Sequence, residues 1–83
     1  MKIIYSKLAE KEILALDRSL GQRIFKKIDL LKDQPFGLGS QKLAGNKGYR
    51  IRIGDYRIVY SVDTHIRIIT IIRIGHRKDV YRG

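Results

Sequence analysis

The segment that most restricts the fold is residues 66–74, in which nearly every side chain is a β-branched isoleucine or threonine. Side chains branched at Cβ favour extended backbone. The segment is too short to span a membrane, and Arg67 and Arg73 interrupt it. We therefore predict a strand over residues 66–74 that is buried on both faces at the centre of a sheet and ended by Gly75.

Further strands are predicted on either side of the helical region. Residues 49–53 alternate with period two, and residues 56–62 form a second β-prone run. Gly54-Asp55 between them is a hairpin signal, and residues 63–65 mark a second turn. Residues 2–5 are also β-prone and predict a short N-terminal strand.

Two amphipathic stripes predict an αα-hairpin between these strands. Ser6 is a suitable N-cap, and the first stripe consists of Ala9, Ile13, Leu16 and Leu20. The second stripe consists of Ile24, Ile28 and Leu31, with Phe25 beside it. We predict that the helices join at residues 19–21, where Gly21 breaks the pattern. Pro35 disfavours helix at Gln34, and the glycine-rich residues 35–48 are predicted to be a connecting loop.

These elements predict an α+β fold in the order β-α-α-β-β-β. The N-terminal strand and the antiparallel αα-hairpin would pack on one face of a mainly antiparallel sheet. A chain of 83 residues has room for one core, so residues 1–83 are expected to form a single domain.

The charge of the chain indicates a polyanionic partner. The formal net charge is +10, and the pI is about 10.2. Residues 1–41 carry eight basic and five acidic side chains, whereas residues 42–83 carry ten basic and three acidic ones. The basic residues of the second half are mostly arginine, which binds phosphate with a fork of donors. A merely solubilising surface usually mixes the two signs more evenly.

Composition also excludes several kinds of chemistry. The chain has no cysteine, which rules out disulfides, thiolate metal sites and a cysteine nucleophile, and it has only two histidines. We therefore expect no metal and no cofactor. The N-terminal residues lack the apolar core of a signal peptide, so a cytoplasmic location without membrane contact is expected.

Strand periodicity gathers several arginines on one side of the predicted sheet. Arg50 and Arg52 lie two residues apart and share a face. Arg57 lies beside Arg52 if the turn pairs the two strands in the right register. Clustered guanidinium groups repel one another unless an anion is present, and they cannot lose their protons. The cluster therefore offers charge and geometry to a phosphate rather than proton transfer.

A family resemblance is carried by YRIRIGDYRIVYSV together with IIRIGHRKDVYRG. These segments resemble the C-terminal half of the RelE/ParE toxin superfamily, most closely its RelE-type branch, and the helical hairpin and residues 41–43 fit the same family. The resemblance implies a RelE-like mRNA interferase, an endoribonuclease that cleaves mRNA in the ribosomal A site and inhibits translation. It also implies contact with ribosomal RNA and a hetero-oligomer with a cognate acidic, RelB-like antitoxin.

The resemblance also assigns roles to individual residues. It implies that the catalytic residues are Arg50, Arg52, Arg57, Arg77 and Tyr81. The predicted RNA-binding residues are Lys42, Lys47, His76 and Lys78.

The implied reaction is a transesterification. The ribose 2′-hydroxyl attacks the adjacent phosphorus, the 5′-oxygen leaves, and a 2′,3′-cyclic phosphate results. The family often has lysine at Arg50 and Arg52, and arginine cannot replace lysine as a base. The proton acceptor therefore stays open, with Tyr81 and His76 as candidates.

Other functions stay open from sequence. ParE-like members of the superfamily bind DNA gyrase, although that branch tends to lack the arginine and tyrosine set. A basic nucleic-acid-binding module without catalysis, or a chain that binds only its antitoxin, is also consistent with the charge. Individual residues have structural alternatives: Arg50 and Arg52 as the solvated face of an edge strand, Arg57 in an ion pair, and Tyr81 as a lid on the core.

Overall fold

The computed structural model describes residues 1–76 and 78. It contains two helices and five strands: β1 (Lys2–Tyr5), α1 (Lys7–Leu14), α2 (Arg18–Leu30), β2 (Gln41–Lys42), β3 (Tyr49–Ile53), β4 (Tyr56–Asp63) and β5 (Ile68–His76). A short 3₁₀ turn at Ala44–Asn46 lies between β2 and β3. Within the described residues, neither helix has the length and apolar character needed to cross a lipid bilayer.

The five strands form one sheet in the order β1-β5-β4-β3-β2. Only β1 runs parallel to its neighbour, β5, and the other pairs are antiparallel. This arrangement confirms the predicted α+β fold with a mainly antiparallel sheet. The central strand is β4 and not β5, because β4 has two strands on each side, whereas only β1 lies beyond β5.

The core lies between the helices and one face of the sheet. Strand residues that face each other across the register, such as Ile51, Ile58 and Ile74, project toward the helices. The fully buried apolar residues of the described chain are Ala9, Ile24, Ile28, Leu31, Ile51, Ile58, Tyr60, Ile69, Ile71 and Ile74.

The junction between the helices differs from the prediction. The helices meet at residues 15–17, and Gly21 lies inside α2. The Asp17 carboxylate caps α2 by accepting a hydrogen bond from the Leu20 amide at 2.9 Å. The Gly21 amide donates to the Asp17 carbonyl at 2.9 Å. An N-cap of this type contributes about 1 kcal/mol, which offsets the similar cost of one glycine within a helix. The helix α2 therefore begins after the Asp17 cap and continues through Gly21.

Ser6 confirms the predicted start of α1 and also joins that helix to the sheet. Its hydroxyl oxygen accepts a hydrogen bond from the Ala9 amide at 3.0 Å. The same hydroxyl donates to the Ile72 carbonyl at 2.8 Å. Ile72 is the extra residue of a β-bulge in β5, because Val59 faces Arg73 whereas Tyr60 faces Ile71. The bulge keeps the buried isoleucines on both sides of it pointing toward the helices.

The strand predicted over residues 66–74 also needs correction. It begins at Ile68 and continues through Gly75 to His76. The Asp63 carboxylate at the end of β4 accepts from the amides of His65 and Ile66, and this Asx-type turn holds Ile66 out of β5. Fully buried positions of β5 all lie on the helix side, so the strand is not buried on both faces.

The predicted loop contains one short strand that the sequence does not reveal. β2 is only two residues long, and its residues Gln41 and Lys42 pair with Arg50 and Tyr49. The Leu43 amide donates to the Gly48 carbonyl at 2.8 Å and closes the turn between β2 and β3. The loop is therefore anchored to the edge of the sheet.

Candidate functional site

The register of β3 and β4 places three predicted catalytic arginines on one side of the sheet. Arg52 faces Arg57, and Arg50 faces Val59. Residues directly opposite each other in an antiparallel pair project from the same face. Since the neighbouring Ile51–Ile58 pair points toward the helices, the arginines point to the opposite face. We call Arg50, Arg52 and Arg57 the arginine face.

A two-residue turn fixes this register. β3 ends at Ile53 and β4 begins at Tyr56, so Gly54 and Asp55 form the turn. Gly54 has φ +56°, and a positive φ at the first central residue of a tight hairpin is typical of glycine. The two-residue turn thus pairs β3 and β4 in the register that places Arg52 opposite Arg57.

Arg57 is the buried member of the arginine face. Its residue exposure is 5 %, whereas Arg52 is exposed and Arg50 is half-buried. Gly75 lies opposite Arg57 on β5 and has no side chain to occupy the space beside it. A guanidinium group keeps its charge when it is buried. β4 therefore holds a permanent cation with little freedom to move.

Arg50 is positioned by β2. Its Nε donates to Gln41 Oε1 at 3.0 Å, and its Nη2 donates to the same oxygen. Gln41 is the residue opposite Arg50 in the β2–β3 pair. The short strand that sequence reasoning missed thus orients one of the predicted catalytic side chains.

A fourth arginine on this face was not identified from the sequence. Arg73 faces Val59 across the β4–β5 pair, and its Nη2 lies 3.3 Å from Glu12 Oε2. Glu12 Oε1 also accepts the Ile74 amide at 2.8 Å. This contact joins residues more than 60 positions apart in the chain, and no local pattern could have indicated it. The Arg73 charge is compensated within the fold.

The remaining predicted site residues are dispersed. Lys42 faces Tyr49 and therefore lies on the helix side of the sheet. His76 faces Tyr56 with the ring centroids 5.7 Å apart, also on the helix side. Lys47 and Lys78 are exposed. Arg77 and Tyr81 lie outside the described residues.

Two tyrosines on the helix side have altered acidity. Burial raises the pKa of Tyr60 above its usual value. Burial also raises the pKa of Tyr5, and the Asp29 carboxylate adds to that rise. The Tyr60 hydroxyl donates to the Pro35 carbonyl at 2.8 Å. Both hydroxyls thus stay protonated, and neither serves as a base for the arginine face on the other side of the sheet.

Comparison with known proteins places this fold in a defined class. The RelE–RelB complex of Pyrococcus horikoshii contains a chain 26% identical to this one, with a TM-score of 0.76 and coverage of 92% of this chain and 93% of that one. The intact RelBE toxin–antitoxin complex of E. coli gives a TM-score of 0.80 at 21% identity, with coverage of 90% and 94%. The class that the fold defines is that of toxins from toxin–antitoxin systems.

Sequence comparison identifies the family. Residues 3–81 match the family model described as the ParE toxin of the type II toxin–antitoxin system, parDE. The chain is also 34% identical over 55 residues to Toxin RelG of Mycobacterium tuberculosis, which covers 63% of this chain and 61% of that relative. The chain therefore spans less than two thirds of the length of this curated relative. The chain belongs to the RelE/ParE superfamily of type II toxins.

Proposed function

We propose that the protein is a ribosome-dependent endoribonuclease that cleaves mRNA in the ribosomal A site. The observation that carries the proposal is the arginine face, in which Arg52 and the buried Arg57 lie opposite each other with Arg50 beside them. Three cations on neighbouring strand positions match the charge of a phosphodiester as it gains negative charge during cleavage. The protein would act in the cytoplasm, where ribosomes are found.

The proposed reaction is a transesterification within the RNA backbone. The 2′-oxygen forms a bond to phosphorus, the bond from phosphorus to the 5′-oxygen breaks, and the two products carry a 2′,3′-cyclic phosphate and a 5′-hydroxyl. Arg57 is suited to stabilise the extra charge on the nonbridging oxygens, because its buried guanidinium is held in place before the substrate arrives. Arg50 and Arg52 would bind the adjacent phosphates.

None of the three arginines can remove the 2′-proton. We propose that Tyr81 carries a proton or stacks on a base, and that Arg77 adds a further cation beside the scissile phosphate. Alignment of the 2′-oxygen with the leaving oxygen by the ribosome would supply much of the remaining rate. Tyr81→Phe separates the two roles of Tyr81, since a large rate loss supports proton transfer and a small loss supports stacking.

We also propose a cognate antitoxin as the partner of the free toxin. Both structural neighbours named above are complexes of a RelE toxin with a RelB antitoxin. A net charge of +10 favours an acidic partner. A RelB-like antitoxin that neutralises the arginine face would block access of RNA to it.

Binding of DNA gyrase is the second candidate function. The observation that favours it is the match of residues 3–81 to a family model that is described as the ParE toxin. That function needs no arrangement of cations around a phosphodiester, so substitutions in the arginine face would leave it intact.

Mapping of mRNA ends by primer extension after induced expression in growing cells tests the proposal. Wild-type protein is expected to give cuts in phase with codons, whereas Arg57→Ala is expected to lose about 10²-fold or more of the cleavage rate. Arg67→Ala is the matched control, because Arg67 is exposed in the turn before β5 and lies outside the arginine face. Intact mRNA combined with a change in DNA supercoiling would instead support the gyrase function.

A further inference from the structure

A basic pocket lies beside the arginine face, between α2 and the turn that joins β3 to β4. Its volume is about 600 Å³. Leu30 and Ile53 provide apolar parts of its lining. The charged residues that line it are Arg23, Lys26, Lys27 and Arg52.

Within residues 1–76 and 78, no acidic side chain pairs with the positive charges of this pocket. Among the described residues that line the pocket, none is acidic. Within residues 1–76 and 78, ion pairs join Lys32 to Asp29 and Arg73 to Glu12, and neither pair includes a residue of the pocket. Four like charges held around one depression repel one another, and an anion that enters it relieves that repulsion.

The spacing of the charges suits a chain of phosphates. Arg23, Lys26 and Lys27 have the i, i+3 and i+4 spacing that places side chains on one face of a helix, about 5–6 Å apart at Cβ. They line the pocket from α2, and Arg52 lines it from β3. β2 pairs only with Tyr49 and Arg50, so it does not cover the outer edge of β3 at Arg52.

Arg52 belongs both to the pocket and to the arginine face. Arg52 therefore connects the buried Arg57, which it faces across the β3–β4 pair, with the basic residues of α2 that line the pocket. A single flexible polyanion can contact both groups of cations through this shared residue. The shared residue favours a nucleic-acid strand over a separate peptide ligand.

We propose that this pocket binds the sugar–phosphate backbone of single-stranded RNA, next to the phosphates held at the arginine face. The identity of the anion rests on the proposed nuclease function. The pocket would increase the affinity for RNA and orient the RNA strand. It contacts no atom that takes part in the cleavage reaction. Its contacts are sequence-independent, because they are made to phosphates and not to bases.

The experiment measures binding of a 12-nucleotide RNA that carries 2′-O-methyl groups throughout and so cannot be cleaved by attack of its 2′-oxygen. Fluorescence anisotropy with the full chain at several salt concentrations gives the affinity and its salt dependence. The triple variant R23A/K26A/K27A is expected to bind about tenfold more weakly, with the slope of log K against log salt reduced by about 2 for three lost phosphate contacts.

A matched variant controls for the loss of net charge. K2A/K7A/K11A removes three exposed lysines from β1 and α1, and β1 forms the edge of the sheet opposite to β2. It is expected to weaken binding less than about threefold. The charge-preserving variant R23K/K26R/K27R is expected to restore the wild-type salt slope. Circular dichroism and thermal unfolding check that all variants are folded.

Two results would overturn the proposal. One is an equal loss of RNA affinity in the two triple-alanine variants, which would show that only the net charge of the protein matters. The other is a loss of affinity of R23A/K26A/K27A for a poly-glutamate peptide without a loss for RNA, which would make the pocket a protein-docking site. Absence of mRNA cleavage in cells would contradict the proposed nuclease function. A selective loss of RNA binding by R23A/K26A/K27A would still support RNA binding by the pocket.

Discussion

Arg52 and Arg57 lie directly opposite each other on β3 and β4, on the face of the sheet away from the helices. Side chains in such a pair have Cβ atoms about 4.5–5.5 Å apart, and like charges at this position destabilise the pairing. The tight turn at Gly54 and Asp55 allows no slip that would separate them. We therefore expect the repulsion between Arg52 and Arg57 to lower the stability of the free protein, and a bound anion to relieve it.

Neutralising one member of this pair is expected to stabilise the free protein. Arg52→Gln should raise the free energy of unfolding by about 0.5 kcal/mol at low ionic strength. The gain should shrink in 1 M salt, where the screening length falls to about 3 Å. Urea denaturation at both salt concentrations measures it, with Arg67→Gln as the control for loss of one exposed charge. A less stable Arg52→Gln at low salt would show that Arg52 makes a net favourable contact.

A second prediction concerns the carboxylate that joins α1 to β5. Glu12 accepts the Ile74 amide at 2.8 Å and pairs with Arg73 at 3.3 Å. Glu12→Ala removes both contacts and should cost about 2 kcal/mol of unfolding free energy, because each involves a charged group. Glu12→Gln keeps an acceptor for the amide and should cost less. Glu10→Ala, an exposed acidic residue of the same helix, should cost about 0.5 kcal/mol or less.

Features that depend on neighbouring residues were predictable from sequence. The hairpin of β3 and β4 follows from alternation around Gly54-Asp55, and the start of α1 follows from the hydroxyl of Ser6. Both are decided within a few residues of chain. The same local reasoning misplaced the start of α2, because a cap at Asp17 and a break at Gly21 are competing signals of similar energy.

Features that depend on distant contacts were not predictable. The bulge at Ile72 changes which residues of β5 face the helices, and the Ser6 hydroxyl bonds to its carbonyl from 66 positions away. The pairing of β2 with β3 and the Glu12–Arg73 ion pair are also tertiary. For the candidate site, sequence periodicity placed Arg50 and Arg52 together. The predicted end of the last strand at Gly75 left His76 outside the sheet, whereas the structure places His76 in β5, on the helix side against Tyr56.

Two glycines with positive φ should respond differently to alanine. Gly54 has φ +56°, and a methyl group added there would meet open space, so Gly54→Ala should cost about 1 kcal/mol from backbone conformation alone. Gly48 has φ +104°, and a Cβ there would collide with the Tyr60 carbonyl oxygen. Gly48→Ala should therefore cost at least about 1 kcal/mol more than Gly54→Ala. Thermal unfolding of the two variants compares them, and equal losses would contradict the close approach at Gly48.

The buried hydroxyls of Tyr60 and Tyr5 provide a matched pair for the last prediction. Tyr60 donates to the Pro35 carbonyl at 2.8 Å, whereas the Tyr5 hydroxyl has no hydrogen-bond partner among the residues that the structure describes. Tyr60→Phe should cost about 1 kcal/mol at pH 7, since it leaves the carbonyl without its donor. Tyr5→Phe should be neutral or slightly stabilising, because it removes a buried polar atom that gains nothing in the fold.

The pH dependence of the same variants tests the acidity of these groups. The pKa of each hydroxyl is raised in the folded protein. Ionisation of these groups therefore leaves stability unchanged below the unfolded pKa of about 10 and lowers it as the pH rises toward the folded pKa. Wild-type protein should therefore lose stability above about pH 10 more steeply than either variant. Urea denaturation at pH 8 and at intervals up to pH 11 measures the difference. If Tyr60→Phe followed the wild-type curve at a constant offset throughout this range, the Tyr60 hydroxyl would titrate alike in the folded and unfolded chains, and its burial would not affect its acidity.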